Sequence, residues 1–172
     1  WWRNLLNYTI TFNDGTQITG SDGSFSYKDE WYEVITEEKG DMLSVLKSMT
    51  SLEPIDESWT DYLANIIVGY RNTETEENIT LYQRNLLIYY IYRYFLKGTF
   101  DGEILSKVKL ACVSTAVISY LVSREKADFS ETVNICKLFS KQTEYSQENI
   151  DMLCEMFYEK EFFESGKIIG LF

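Results

Sequence analysis

Histidine is absent from this chain of 172 residues. Any Ser-His-Asp triad, imidazole general base or His-ligated metal is therefore excluded from it. Cysteine is scarce: Cys112, Cys136 and Cys154 are an odd number, widely spaced, with no CxxC pair. That argues against a disulfide framework and fits a reducing compartment. Each cysteine lies in an apolar helical stretch, where a thiol serves as a small buried hydrophobe. Proline occurs once, at Pro54. The phosphate-binding glycine patterns GxGxxG and GxxxxGK[ST] are missing, and so is the GxSxG nucleophile turn. There is no internal repeat and no low-complexity tract.

Acidic and apolar residues are abundant. The formal net charge is −11, a field that repels phosphate backbones and anionic lipid surfaces, so neither nucleic acid nor membrane is an expected partner. Hydrophobic residues make up 45% and charged residues 25%, a balance that folds rather than stays disordered. The length suits one domain, or one domain with a small appendage. Thirteen Tyr and ten Phe supply rings that suit half-buried positions, in a core boundary or on a binding surface. The most apolar windows, Leu86–Leu96 and Val108–Val122, fall short of a bilayer span and carry Arg93 and Lys109, so they read as buried core helices. The opening Trp1-Trp2-Arg3 reads as a processed form or as a piece of something longer.

The first forty residues differ from the rest. Tyr8-Thr9-Ile10-Thr11-Phe12, a turn at Asn13-Asp14-Gly15, and Thr16–Thr19 predict a β-hairpin. A second turn at Gly20–Gly23 leads to two more short strands, Ser24–Tyr27 and Glu30–Ile35. Beyond Glu37–Asp41 the pattern turns helical. The expected architecture is mainly α, a helical bundle-like domain over 41–172 with a small β-rich N-terminal segment, an antiparallel meander or hairpin, over 1–40.

Within the helical part, Asp41–Met49 reads as a short helix. Pro54 starts the next one, with Asp56 and Glu57 in its first turn and Trp59, Leu63, Ile66 and Ile67 on one face. Asn72–Asn78 is a polar, acidic connection. Ile79–Leu96 follows with Gly98 as its C-cap. Its apolar residues run nearly all round, the pattern of a central, surrounded helix. Asp101 caps Gly102–Arg124, whose Ala111, Cys112, Ser114, Thr115 and Ala116 permit close approach of a neighbour. Ser130 caps Glu131–Gln142, and Ser146 caps Gln147–Glu159.

No constellation announces a catalytic centre. Glu74, Glu76 and Glu77 fall in the acidic connection, and Glu155, Glu159, Glu161 and Glu164 fall on a solvated helical face. Arg84 and Arg93 need water or an acidic partner; snorkelling from a core helix outweighs substrate binding. The run Tyr82–Phe95 could line a pocket, though core packing is the plainer reading. Catalytic residues are thus unassigned, and no cofactor or metal site is expected in this chain.

Four segments, in order, resemble the C-terminal helical region of the flagellin lysine-N-methylase (FliB-like) family. They are Leu52-Glu53-Pro54-Ile55-Asp56-Glu57-Ser58-Trp59, Asn85 to Phe95, Phe100 to Lys109 running into Ser114-Thr115, and Phe139-Ser140-Lys141-Gln142-Thr143-Glu144-Tyr145-Ser146-Gln147-Glu148-Asn149. The resemblance implies a bacterial cytoplasmic protein associated with methylating flagellin lysines. It implies S-adenosylmethionine and an iron–sulfur cluster only for a full-length member, whose N-terminal Cys-rich segment carries a CxxxCC-like cluster. Cys112, Cys136 and Cys154 do not match that spacing, so no catalytic residue carries over.

Two functions compete on this basis. One is a structural or substrate-docking domain, with flagellin as partner and an acidic surface suited to a Lys-bearing segment. The other is a non-enzymatic protein-interaction module using the β-rich part or the aromatic face. An independent enzyme built on carboxylates and tyrosines is the remotest reading; it needs a concave pocket with convergent acidic groups.

Overall fold

The computed structural model describes residues 38–71 and 80–172 in full, and the backbone of three strands nearer the N-terminus. The chain separates into two units, Trp1–Val34 and Ile35–Phe172. In the first unit, β1 (Thr9–Thr11), β2 (Gln17–Ser21) and β3 (Ser24–Ser26) pair antiparallel in the order β1-β2-β3, with Ile10 opposite Ile18 and Gly20 opposite Phe25. Strands of three to five residues are below what sustains a sheet alone, and no side-chain packing of this unit is among the described residues. The fourth strand expected at Glu30–Ile35 and the connection Asn72–Asn78 lie outside them.

The second unit is helical: α1 (Met42–Met49), α2 (Glu57–Val68), α3 (Leu81–Asp101), α4 (Ile104–Glu125), α5 (Phe129–Thr143), α6 (Gln147–Glu159) and α7 (Ser165–Ile169), with a 3-10 turn at Glu161–Phe163 before α7. Local chemistry sets most of the starts. Asp41 accepts from the Ser44 amide, Asp56 from Ser58, and Ser146 from Asn149. Thr80 and Gln83 close a capping box on α3. Helix α5 starts two residues earlier than the sequence suggested. Asp128 and Glu131 form a reciprocal box there, and this double satisfaction of free amides outcompetes the Ser130 cap.

Two assignments in the middle of the chain are corrected. Gly98 does not end α3. The helix continues to Asp101, and Gly102 ends it with φ of 80°, the left-handed region open to glycine without strain. Gly98 instead lets α3 approach α4: a Cβ there would lie 2.9 Å from the Ile104 Cα. Asp101 accepts from the Glu103 amide, so the turn into α4 is two residues long and the helices form an antiparallel hairpin.

The larger correction concerns which helix is central. Helix α4 is, not α3. It touches α1, α3, α5, α6 and α7, and fourteen of its residues are buried, including Val117, Ile118 and Leu121. Its small side chains allow neighbours in on every side. Thr115 and Ser119 return their hydroxyls to the carbonyls of Ala111 and Thr115, which removes the cost of burying them. By length and composition α4 alone among the described helices could cross a bilayer, and these neighbours account for its hydropathy. Helix α3, by contrast, buries only Tyr90, Tyr94 and Gly98. It lies along α4, while Leu81, Ile88, Tyr92, Phe95, Leu96 and Phe100 are exposed.

Candidate functional site

Three segments meet beside the C-terminal end of α5. The first is the turn before α2. Its backbone is clamped by two buried amide side chains: Gln142 accepts from the Ile55 amide at 3.0 Å and donates to the Glu53 carbonyl at 2.6 Å. Asn149 accepts from the Glu53 amide at 2.8 Å and donates to the carbonyls of Glu53 and Gln142 at 2.9 and 2.8 Å. The amide and carbonyl of Glu53 and the amide of Ile55, in a non-helical turn, are thereby all paired. Trp59 continues the contact with an edge-on approach to Phe139, ring centroids 5.8 Å apart. Asp56 adds an ion pair to Lys141 at 2.6 Å. Hydrogen bonds from Lys141 and from Ser58 hold its carboxyl well below the usual carboxylate range.

The second junction centres on Glu144, the C-cap of α5. A carboxylate is badly placed at a helix C-terminus, where the partial charge is negative. Helix α3 supplies the remedy. Arg93 Nε stands 2.7 Å from Glu144 Oε2, and the hydroxyls of Tyr89 and Tyr94 donate to the same oxygen at 2.9 and 3.0 Å. The Glu144 side chain is 4% exposed. Arg93 also lies over both rings, 5.9 Å from the Tyr89 centroid and 5.6 Å from that of Tyr94. Burial pushes the Tyr94 phenol up to about 12 and carries Tyr90 well above its ordinary range.

Beside this cluster a groove of about 710 Å³ opens between α3 and α5, its apolar walls including Leu86, Tyr89, Tyr90, Val133 and Tyr145. Its polar groups offer little to catalysis. Glu144 is already satisfied by Arg93 and two tyrosines, and Lys141 is paired with Asp56. Cys136 lines the wall, but burial pushes its thiol up, away from the nucleophilic thiolate. Lys137 is the cation on the rim that makes no ion pair with a described residue. Most of the groove wall is apolar or aromatic, and Glu144 is the one carboxylate among its lining residues.

The other candidates from the sequence lie apart. Arg84 is exposed on α3 and meets solvent, whereas Arg93 found its acidic partner. Glu155 and Glu159 are exposed on α6; Glu161 and Glu164 share Lys167 at 2.5 and 3.6 Å. Glu74, Glu76 and Glu77 lie outside the described residues. Cys112, Cys136 and Cys154 occupy α4, α5 and α6, and burial raises all three thiols. Among the described residues no three potential metal ligands converge. The clamp residues Gln142 and Asn149 and the buried Glu144 were not singled out as functional by sequence reasoning. A signal existed: they fall inside one of the four family-like segments, and that segment holds two of the others.

A model of the FliB lysine N-methylase C-terminal domain matches residues 20–171. The chain belongs to that family. No curated protein and no solved structure matches it. Within this FliB C-terminal domain, the segments Leu52–Trp59, Asn85–Phe95 and Phe139–Asn149 are the three that meet at the clamp and at Glu144. Three of the four family-like segments therefore meet in one structural node, which fixes α3 and the α2 turn to the end of α5.

Proposed function

We propose that this domain serves a flagellin lysine-N-methylase as a non-catalytic, protein-docking helical domain, with the α3–α5 groove and the open face of α3 as its docking surface. The observation that carries this reading is the pairing of an open apolar groove with acid and base groups that are already neutralised inside it. Such a wall can hold a protein surface, yet it presents no poised proton acceptor or nucleophile for methyl transfer. S-adenosylmethionine and an iron–sulfur centre would then belong to other parts of the enzyme. The β-rich segment 1–40 is proposed as a small unit separate from the helical domain 41–172. A bacterial cytoplasmic setting suits the three free cysteines and the family.

The test uses the chain with S-adenosylmethionine and flagellin. The expected result is capture of flagellin, or of the remainder of the methylase, with no transfer of methyl groups to lysine. Methylation by this chain alone would overturn the non-catalytic reading. Absence of capture of both proteins would overturn the docking reading. A general interaction module unrelated to methylation gains ground only if capture persists after Tyr89→Ala and Tyr145→Ala, which strip the groove wall.

A further inference from the structure

Resting on the docking reading, we infer that the exposed face of α3 is the seat of an acidic amphipathic helix from the protein partner, laid along α3 with its edge in the α3–α5 groove. The spacing identifies the shape of the partner. Leu81, Ile88, Tyr92 and Phe95 recur at intervals of seven, four and three, the row that packs against another helix. Leu96 flanks the row, and Tyr89 joins it to the groove wall. These side chains are open to solvent, Tyr92 at 79% and Leu96 at 63%. A soluble surface rarely leaves a contiguous row of this kind without a use for it.

Charge identifies the chemistry. Arg84, beside the row on α3, and Lys137, on the groove rim, make no ion pair with a described residue, in a chain whose net charge is −11. The uncovered apolar row is therefore bordered by cations on a molecule that is otherwise acidic. A helix with carboxylates beside its apolar face complements that border. A second copy does not: parallel pairing of two α3 helices would oppose Arg84 with itself, and in antiparallel pairing the second α3 carries no carboxylate before Asp101 to meet it. An anionic bilayer is a poor match too, because it meets the repulsion of the whole molecule and cannot fill a concave groove.

The experiment uses two synthetic helical peptides with one identical Leu/Ile row, flanked by Glu in one and by Lys in the other. Binding to the purified chain is read by fluorescence anisotropy. The Glu peptide is expected to bind at least about tenfold more tightly than the Lys peptide, with the preference shrinking as salt rises. Tyr92→Glu should weaken it by about tenfold or more without shifting the thermal melt, since that residue is 79% exposed. Arg84→Glu with Lys137→Glu should reverse the preference. Equal affinities, insensitivity to Tyr92→Glu, a dimer of the chain that Tyr92→Glu dissolves, or uptake onto phosphatidylglycerol vesicles in place of peptide would each overturn the inference. If flagellin capture is lost in the Tyr92→Glu chain while neither peptide binds, the docking reading survives and the acidic-helix reading fails. If neither flagellin, the remainder of the methylase, nor a peptide is held, both fail.

Discussion

Helices α3 and α4 are the two longest in the domain and stand next to each other, yet they live in different environments. Along α4, fourteen of 22 residues are buried; along α3, three of 21 are. The difference follows from the size of their side chains more than from their hydrophobicity. Ala111, Ser114, Thr115, Ala116 and Ser119 leave the α4 backbone approachable from all round, and five other helices take up the space. The tyrosines of α3 are too bulky and too polar at the tip for that. Tyr90 and Tyr94 pack inward, and Tyr89 and Tyr92 keep their rings in or near water. A helix that is apolar all round can be a core or an interface waiting for its partner, and the volume of its side chains separates the two.

The sharpest way to break this comparison is to place a charge on each helix. Val117→Asp in α4 should prevent folding, a loss exceeding about 4 kcal/mol, because the site is fully buried without a partner for the carboxylate. Tyr92→Asp in α3 should leave the far-UV circular dichroism and the melt unchanged. Truncation grades the same contrast. Leu121→Ala should cost about 2–5 kcal/mol in urea unfolding, whereas Leu96→Ala should stay within about 0.5 kcal/mol.

Two smaller effects test the joints that hold α3 and α5 in place. Gly98→Ala should destabilise by about 1–3 kcal/mol despite the better helix propensity of alanine, because the added methyl meets the α4 backbone. Asn149→Ala should cost a similar amount, about 1–3 kcal/mol, by stranding the Glu53 amide and carbonyl. The smallest expected effect is electrostatic. The carboxyl of Asp56 titrates lower in the folded state than in the unfolded chain, so its contribution is present above the unfolded value near 3.8 and fades as pH falls toward the folded one. Asp56→Asn should therefore lower the melting temperature at pH 7 by roughly a few degrees and have no effect near pH 1, with thermal melts across that range as the check.

Much of the helical framework was legible without coordinates. The short helix ending at Met49, the cap at Ser146, the buried face of Trp59, Leu63 and Ile66, and the approachable residues of α4 are short-range or periodic signals. Where two caps competed, the winner was the one offering two hydrogen bonds rather than one, as at Asp128 over Ser130. The candidate site was harder to see. Gln142, Glu144 and Asn149 look like surface polar residues in any local window. Their partners at Glu53, Ile55 and Arg93 lie 51 to 96 residues away.

Residue order alone is enough to say that this chain folds mainly as helices, where most of them start, that no histidine chemistry is possible, and that the family is that of the FliB C-terminal domain. Those are consequences of residue identity and of spacing along the chain. Only the tertiary structure decided that α4 is the centre and α3 the rim, that Arg93 and two tyrosines neutralise Glu144, and that a groove remains open beside them. Burial and pairing depend on which elements meet across the fold, and a helical period reports only that a face will be covered, not by what.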